Sequence, residues 1–159
     1  MTAGLIGCDC NDLGYEFFYD GPFTHALKNT LEGYVDEMNI QKAYTNCEQG
    51  ASTIWCWECM ASNVHLTAVL SCQKFGTYFD KAGAKYLQDI KKASKSVIVL
   101  GEGIETIAKT EFTDKYIIDK SDIMFFVYNE QKTRMKRAIE YTKKTDKEII
   151  LINVNEMHL

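Results

Sequence analysis

The stretch Ile123–Tyr128 reads IMFFVY and is followed by the polar residues 129–131 (NEQ). It is apolar on both alternating faces, which is typical of a central strand in a parallel sheet that is covered by helices on each side. Apolar residues at helical spacing come next, within 135–142, and a second apolar run fills 149–154. The C-terminal part of the chain therefore predicts a strand, a helix and a strand in that order.

The same alternation extends toward the N-terminus. Four more short apolar runs end in turn-forming residues and predict strands at 4–8, 40–45, 64–70 and 96–100. Residues at helical spacing predict helices that begin near Thr24 and lie within 52–61, 86–93 and 112–119. This order favours an α/β fold, a Rossmann-like three-layer sandwich with a mainly parallel, doubly wound sheet. We expect one domain to occupy residues 1–159.

The composition of the 159 residues is that of an ordinary globular domain. Hydrophobic residues make up 46% and charged residues 25%, which excludes disordered and low-complexity classes. The formal net charge of −4 gives no general attraction to nucleic acid, so nucleic acid is not expected as a partner. No window approaches the roughly 18 apolar residues of a membrane span, and no basic segment precedes an apolar core at the N-terminus. We therefore expect a cytoplasmic protein without a membrane contact.

A ligand site is expected at the carboxyl ends of the strands. In open α/β sheets, loops and helix N-termini converge there, near the point where the strand order reverses. The loops that qualify are 8–14, 46–53, 71–78, 101–104 and 129–133. They are rich in Asp, Asn, Gln, Ser, Thr and Gly, which suit hydrogen bonds to ribose, base edges and phosphate. The alternative is that such residues only terminate the strands, as they do in any α/β protein.

Several of these loops carry motifs of a known group of proteins. The segment 112–122 (FTDKYIIDKSD) resembles the pattern Arg-Asn-x-Tyr-Met-Val-Asp-x-Ser-Asp. The positions that agree are Tyr116, Asp119, Ser121 and Asp122. Reduced forms of four further motifs lie at 7–9 (GCD), 46–52 (NCEQGAS), 71–73 (SCQ) and 131–133 (QKT). The chain thus resembles the SLOG superfamily, which includes the LOG phosphoribohydrolases, the nucleotide-fold domain of DprA and the YpsA-like proteins, and it is most similar to the YpsA-like branch.

The resemblance implies a Rossmann-like domain that binds a nucleotide through these loops. The predicted ligand-binding residues are Gly7, Cys8, Asp9, Asn46, Gly50, Ser52, Thr53, Asn129, Thr133, Arg134 and Asp119. For Asp119, a role in capping a helix is an alternative explanation.

The resemblance also implies a limit on catalysis. LOG enzymes cleave an N-glycosidic bond with a Pro-Gly-Gly-x-Gly-Thr-x-x-Glu motif, whose glycines bring backbone amides close to phosphate, and this chain has no such run. Glu140 follows Thr133 by about two helical turns, which is too far to replace the motif glutamate. We therefore predict binding of a nucleotide-derived small molecule, ADP-ribose-like or a cyclic nucleotide signal, without turnover. No cofactor and no metal are predicted.

Such a protein would suit a phage that sequesters a bacterial immune signal in the host cytoplasm. Two alternatives stay open: a LOG-like N-glycosidase that acts on a nucleotide, and a protein-interaction module whose pocket is vestigial. A homo-oligomer is also expected.

The six cysteines divide into two groups. Cys56 and Cys59 form a CxxC inside a predicted helix, where core packing accounts for them better than a zinc knuckle does. The remaining cysteines fall at predicted strand ends and are Cys8, Cys10, Cys47 and Cys72. Four thiolates at one edge could form a zinc site, although nothing in their spacing requires it.

Aromatic and basic residues add three expectations. Trp55 and Trp57 are interpreted as core or interface residues, with stacking on a base as the alternative. The segment 15–19 (YEFFY) is interpreted as a lid or a dimer contact. The basic residues within 132–144 are interpreted as a solvated helix face, with contact to phosphate or nucleic acid as the alternative.

Overall fold

A six-stranded parallel sheet forms the centre of the protein in a computed structural model that describes residues 1–13 and 22–157. The strands are β1 (Thr2–Gly7), β2 (Lys42–Thr45), β3 (His65–Leu70), β4 (Ser96–Val99), β5 (Ile123–Tyr128) and β6 (Glu148–Asn153). Their order is β4-β3-β2-β1-β5-β6, and every neighbouring pair is parallel. The chain moves outward from β1 to β4 and then returns to β5 on the other side of β1. The strand order therefore reverses between β1 and β5.

Helices cover both faces of this sheet. They are α1 (Cys10–Leu13), α2 (Pro22–Glu37), α3 (Ala51–Ala61), α4 (Lys81–Ala93), α5 (Ile107–Lys120) and α6 (Thr133–Lys143). Apolar residues of α2, α3 and α4 pack in one core, and those of α5 and α6 pack in a second core on the opposite face. The predicted Rossmann-like three-layer α/β fold is confirmed.

The central position of β5 explains its unbroken apolar sequence. It pairs with β1 on one side and with β6 on the other. Phe125 is fully buried in the first core, where its ring centroid lies 5.5 Å from that of Trp55. Phe126 is fully buried in the second core, together with Ile117 of α5. Each face of the strand therefore contributes to a different core.

Three helices differ from the sequence prediction. The helix α4 begins at Lys81, earlier than predicted, because the Asp80 side chain accepts the Gly83 N–H at 2.7 Å and caps the first turn. The helix α5 begins at Ile107, earlier than predicted, because the Thr106 hydroxyl accepts the Lys109 N–H at 3.2 Å and caps the first turn. The prediction began this helix at Phe112 and missed the first turn, where Ile107 is exposed. The short helix α1 lies in a segment that was predicted to be a polar loop.

The core interpretation of the residues on α3 is confirmed. Trp55, Cys56 and Cys59 are fully buried there, and the Trp55 indole donates a hydrogen bond to the Tyr44 carbonyl at 3.1 Å. Cys8 and Cys47 are also buried, and across residues 1–13 and 22–157 no group of three or more His, Cys, Asp or Glu side chains could hold a metal ion. The segment 15–19 lies outside the described residues. Within the described part of the chain, no helix is long and apolar enough to cross a membrane.

Candidate functional site

The loops at the carboxyl ends of β1, β2 and β5 surround a cavity of about 400 Å³, which we call the inner cavity. It lies where the strand order reverses, which is the position of ligand sites in this class of fold. Its volume falls within the roughly 300–1,000 Å³ of small-ligand pockets. The charged residues that line it are Asp9, Asp12, Glu48, Glu130, Lys132 and Arg134.

Two glycines allow the loops after β1 and β2 to meet at this cavity. Gly50 has a φ of 130°, and a Cβ at this position would lie 2.2 Å from the Cys8 carbonyl oxygen. The same carbonyl accepts the Ala51 N–H at 3.0 Å. A Cβ on Gly7 would lie 2.4 Å from the Cβ of Ala51. Glycine at both positions therefore fixes how closely the N-terminus of α3 approaches the end of β1.

A partly buried ion triad lies beside the inner cavity, which two of its members, Glu48 and Arg134, line. Arg134, in the first turn of α6, donates to Asp114 of α5 from Nε at 2.8 Å and from Nη2 at 2.7 Å. Its Nη1 donates to both carboxylate oxygens of Glu48, at 2.9 and 3.0 Å. Asp114 and Glu48 have side chains that are 4% and 22% exposed. Arg134 thus joins the loop after β2 to both helices of the second face.

Burial raises the pKa of both carboxyl groups in this triad. For Asp114 the loss of hydration is the main cause, and the Arg134 guanidinium opposes it. For Glu48 the loss of hydration also dominates, and the charges of Asp114 and Glu105 add to the rise. Burial acts to lower the pKa of Arg134, but the two carboxylates raise it overall. Arg134 therefore stays charged. The two carboxylates beside it carry more negative charge than its single positive charge neutralises.

A second polar cluster lies beside the triad and involves the loops after β3 and β4. The Tyr78 hydroxyl donates to Glu105 Oε2 at 2.6 Å, and the Ser71 hydroxyl donates to Glu105 Oε1 at 3.2 Å. Burial and the hydrogen bond to Glu105 raise the pKa of Tyr78. Even so, 67% of the tyrosine is exposed. Glu105 therefore holds an aromatic ring in place at the mouth of the cavity.

The third polar contact joins α1 to the N-terminus of α6. Lys132 donates to both carboxylate oxygens of Asp12, at 2.9 and 3.1 Å. This hydrogen bond, together with the negative charge of Asp12, raises the pKa of Lys132. Asn129 donates from its side chain to the Asp12 carbonyl at 3.1 Å. These hydrogen bonds hold α1 against the segment that follows β5.

Two more cavities adjoin the inner cavity through shared side chains, and we call the three cavities together the groove. The middle cavity, of about 790 Å³, shares Glu48, Tyr78 and Arg134 with the inner one. The outer cavity, of about 230 Å³, lies between α5 and α6 and shares Glu111, Arg134 and Arg137 with the middle one. The groove thus runs from the end of β1, past Tyr78, to the far end of α6.

The predicted site residues occupy several positions around this groove. Gly7, Cys8, Asp9 and Arg134 line the inner cavity, and Thr133 lines the middle cavity. The side chain of Asn46 donates to Glu48 Oε2 at 3.0 Å. The structure brings these residues together at the carboxyl edge of the sheet, and their role in binding a ligand stays a prediction.

The other predicted residues support the loops or lie elsewhere. The Thr53 hydroxyl donates to the Glu48 carbonyl at 3.2 Å, and Ser52 is buried in the first turn of α3. Thr53 therefore supports the loop that carries Glu48, whereas the buried Ser52 hydroxyl has no hydrogen-bond partner among the described residues. Asp119 lies in the last turn of α5, at the opposite edge of the sheet, where it accepts a hydrogen bond from Tyr141 at 2.8 Å.

Sequence reasoning missed Glu48, Asp114, Asp12 and Tyr78 as site residues. Asp114 had a detectable signal, because it shares the buried stripe of α5 with Ile117 and Ile118. A carboxylate in an apolar stripe requires a buried partner, and Arg134 is that partner. For Glu48 and Tyr78, the sequence contains no comparable signal.

The comparisons with known proteins bear on the fold. No family model and no curated protein matches this chain. DNA processing protein A from Helicobacter pylori superposes with a TM-score of 0.65 at 13% identity, over 95% of this chain and 64% of that one. The fold is that of DprA. The same protein from Streptococcus pneumoniae gives a TM-score of 0.58 at 10% identity, over 99% of this chain and 62% of that one.

These comparisons confirm the resemblance to the SLOG group at the level of the fold. The chain spans less than two thirds of the length of each DprA structure. They also show that our expectation about partners was wrong. We expected a small nucleotide-derived molecule and did not expect nucleic acid, whereas the Helicobacter pylori protein of this fold is described by its single-stranded DNA binding mode.

The physical reason for this error is the use of the whole-chain charge. The net charge of −4 averages over surfaces of opposite sign. Four carboxylates and two basic groups line the inner cavity, but three carboxylates and four basic groups line the outer one. A local basic strip can bind phosphates even when the whole protein is acidic. The expected homo-oligomer stays a prediction.

Proposed function

We propose that this protein binds single-stranded DNA along the groove, with phosphates at the outer end and bases at the middle and inner ends. The observation that carries this proposal is that three cavities lie side by side, because each shares side chains with the next. A row of adjacent cavities is suited to the successive units of a polymer. The similarity in fold to DprA supports the same proposal, since the Helicobacter pylori DprA binds single-stranded DNA.

The outer end of the groove supplies positive charge for phosphates. Lys115, Arg137 and Lys144 line it together with Arg134. Arg137 pairs with Glu111 at 2.6 Å, but its side chain is 63% exposed. Lys115 and Lys144 have no ion pair within the described residues. From Arg134 to Lys144 the helix rises about 15 Å, which matches about four nucleotides of a stacked strand.

The middle of the groove supplies a surface for a base. Tyr78 stands between the inner and middle cavities, and its ring is held by the hydrogen bond to Glu105. Stacking of a base on an exposed aromatic ring contributes about 1–3 kcal/mol and tolerates any sequence. The bases of a duplex are paired and stacked on each other, so only a single strand can use this ring.

The proposal predicts a moderate dependence of binding on salt. Arg134, Lys132 and Arg137 are already paired with carboxylates, so they release few counterions. Lys115 and Lys144, the outer-cavity basic groups without an ion pair among the described residues, predict a slope of log K against log salt of about −1.4 for a single strand. Fluorescence anisotropy with a labelled strand of about 12 nucleotides measures both the affinity and this slope.

Two variants and one control test the location. Lys115→Ala and Lys144→Ala are each expected to weaken binding and to reduce the steepness of the slope by about 0.7. Lys42→Ala is the matched control, because Lys42 is exposed at the start of β2, on the opposite edge of the sheet. The proposal is wrong if a duplex of the same sequence binds as tightly, or if the control weakens binding as much as the two groove variants.

A further inference from the structure

We infer that the inner cavity selects a base that carries an exocyclic amino group, with Asp9 and Gln49 as the residues that recognise it. This inference rests on the proposed function and adds base selectivity to it. It predicts that one position of the bound strand prefers cytosine to uracil or thymine.

The inner cavity offers hydrogen-bond acceptors without matching donors. Asp9 accepts the Asp12 N–H on Oδ1 at 3.1 Å, and its Oδ2 has no donor among residues 1–13 and 22–157. The exposed Glu130 side chain also accepts no hydrogen bond within these ranges, although its charge acts on Lys132. By contrast, Arg134 directs its donors at Asp114 and Glu48, and Lys132 directs its donors at Asp12. A ligand that supplies donors therefore fits this end of the groove.

Gln49 is the one uncharged amide that lines the inner cavity among the described residues, and a glycine positions it. A Cβ at Gly83 would lie 1.7 Å from Gln49 Nε2 and 3.1 Å from Asp80 Oδ1. The absence of a side chain at the N-terminus of α4 therefore makes space for the Gln49 amide. The next residue, Gly50, approaches the Asp9 backbone so closely that a Cβ there would lie 2.8 Å from the Asp9 Cα. Asp9 and the loop that carries Gln49 are thus adjacent.

The pair of groups matches the edge of cytosine. A carboxylate accepts a hydrogen bond from the cytosine amino group, and an amide N–H₂ can donate to the ring nitrogen or carbonyl beside it. Uracil places a carbonyl oxygen where cytosine has the amino group, and this oxygen would face the Asp9 carboxylate. Two acceptors that face each other repel, so uracil and thymine bind less well.

Phosphate does not fit the same position. Four carboxylates and two basic groups line the inner cavity, and both basic groups are paired. The carboxylates that line the cavity would repel a phosphate group unless the phosphate displaced one of them from its basic partner. A base is uncharged and avoids this repulsion, so the inner end of the groove is the base end.

The test compares oligodeoxycytidine with oligodeoxyuridine of about 12 nucleotides by fluorescence anisotropy. Neither base has a methyl group at C5, so the pair isolates the exocyclic amino group. We expect the cytidine strand to bind about tenfold more tightly, as one charge-assisted contact to a base edge provides. Asp9→Asn replaces the acceptor oxygen with a donor of the same shape, and it should reduce the ratio to below about twofold.

A control and three outcomes complete the test. Asp36→Asn removes an exposed carboxylate near the end of α2, outside the residues that line the groove, and should keep the tenfold ratio. Equal binding of the two strands to the unsubstituted protein overturns the base selectivity but leaves the proposed function intact. A preference that persists in both Asp9→Asn and Gln49→Ala overturns the assignment to these residues. Binding of neither strand overturns the proposed function, and the inference falls with it.

Discussion

Replacement of Arg134 by methionine tests the ion triad on which the groove is built. The substitution keeps the aliphatic length of the side chain but leaves Asp114, which is 4% exposed, without a partner. Removing one partner of a fully buried pair costs about 3–5 kcal/mol. Because the Arg134 side chain is 34% exposed and Glu48 is 22% exposed, water screens part of this cost. We therefore expect a loss of about 2 kcal/mol in the free energy of unfolding, or a fall of about 4–8 °C in Tm.

The loss in the free energy of unfolding caused by Arg134→Met should also depend on pH. Without the guanidinium, the pKa of Asp114 rises further above its value in the unfolded chain, so the folded variant binds more protons than the unfolded one. A carboxyl group with a raised pKa in the folded state favours folding at low pH and loses this contribution as pH rises through that pKa. The stability gap between the variant and the unsubstituted protein should therefore be larger at about pH 8 than at about pH 5.

Denaturant titrations monitored by circular dichroism measure the gap at both pH values. Arg137→Met is the control, since Arg137 is 63% exposed and pairs with Glu111 at the surface. This pair contributes about 0–1 kcal/mol. If Arg134→Met destabilises no more than Arg137→Met, or if its gap widens toward acid, the description of the triad as a buried and charged unit is refuted.

Three further substitutions test other contacts. Gly50→Ala should cost about 3 kcal/mol or more, because a Cβ would lie 2.2 Å from the Cys8 carbonyl at a φ of 130°; a denaturation midpoint close to that of the unsubstituted protein would contradict this. Lys28→Met removes the ammonium that lies 3.1 Å from the fully buried Glu58 carboxylate, and should cost about 2–3 kcal/mol. The double variant with Glu58→Gln should recover much of that loss, and thermal melts that show no recovery would exclude a buried unpaired charge as its cause. Tyr78→Ala should weaken the binding of single-stranded DNA by about fivefold or more in the anisotropy assay. Tyr78→Phe keeps the ring but loses the hydrogen bond to Glu105, so it should lose less affinity than Tyr78→Ala. An equal loss in both variants would contradict stacking of a base on this ring.

Patterns within one element were sufficient to predict the fold. The residues of β5 are hydrophobic on both faces because β1 and β6 flank the strand and helices cover it above and below. This environment is visible in the sequence as an unbroken run, so the strand was predicted at its observed bounds. The stripe of α6, which buries Met135, Ala138 and Ile139, was visible for the same reason.

The site could be predicted only in part, because its contacts join distant segments. The rule for carboxyl ends located Asp9 and Thr133 at the edge of the sheet. Arg134 was predicted to bind the ligand directly, but its donors point at Glu48 and Asp114, and no local pattern relates these three positions. Asp119 was predicted from a motif, and the prediction did not use its position in the fold. The motif lies on α5, and the C-terminus of this helix is at the edge of the sheet opposite the groove.

The pairing of β1 with β5 has a consequence for how the chain acquires its groove. Gly7 lies opposite Val127, so the two strands that frame the inner cavity come from segments far apart in the sequence. Parallel strands cannot form through a local hairpin, and contacts between distant segments form slowly because a large loop must close first. During synthesis, β1 to β4 can assemble before β5 has left the ribosome. The DNA-binding groove that we propose would then be the last part of the molecule to form, and the binding of labelled single-stranded DNA should be regained in the slowest phase of refolding.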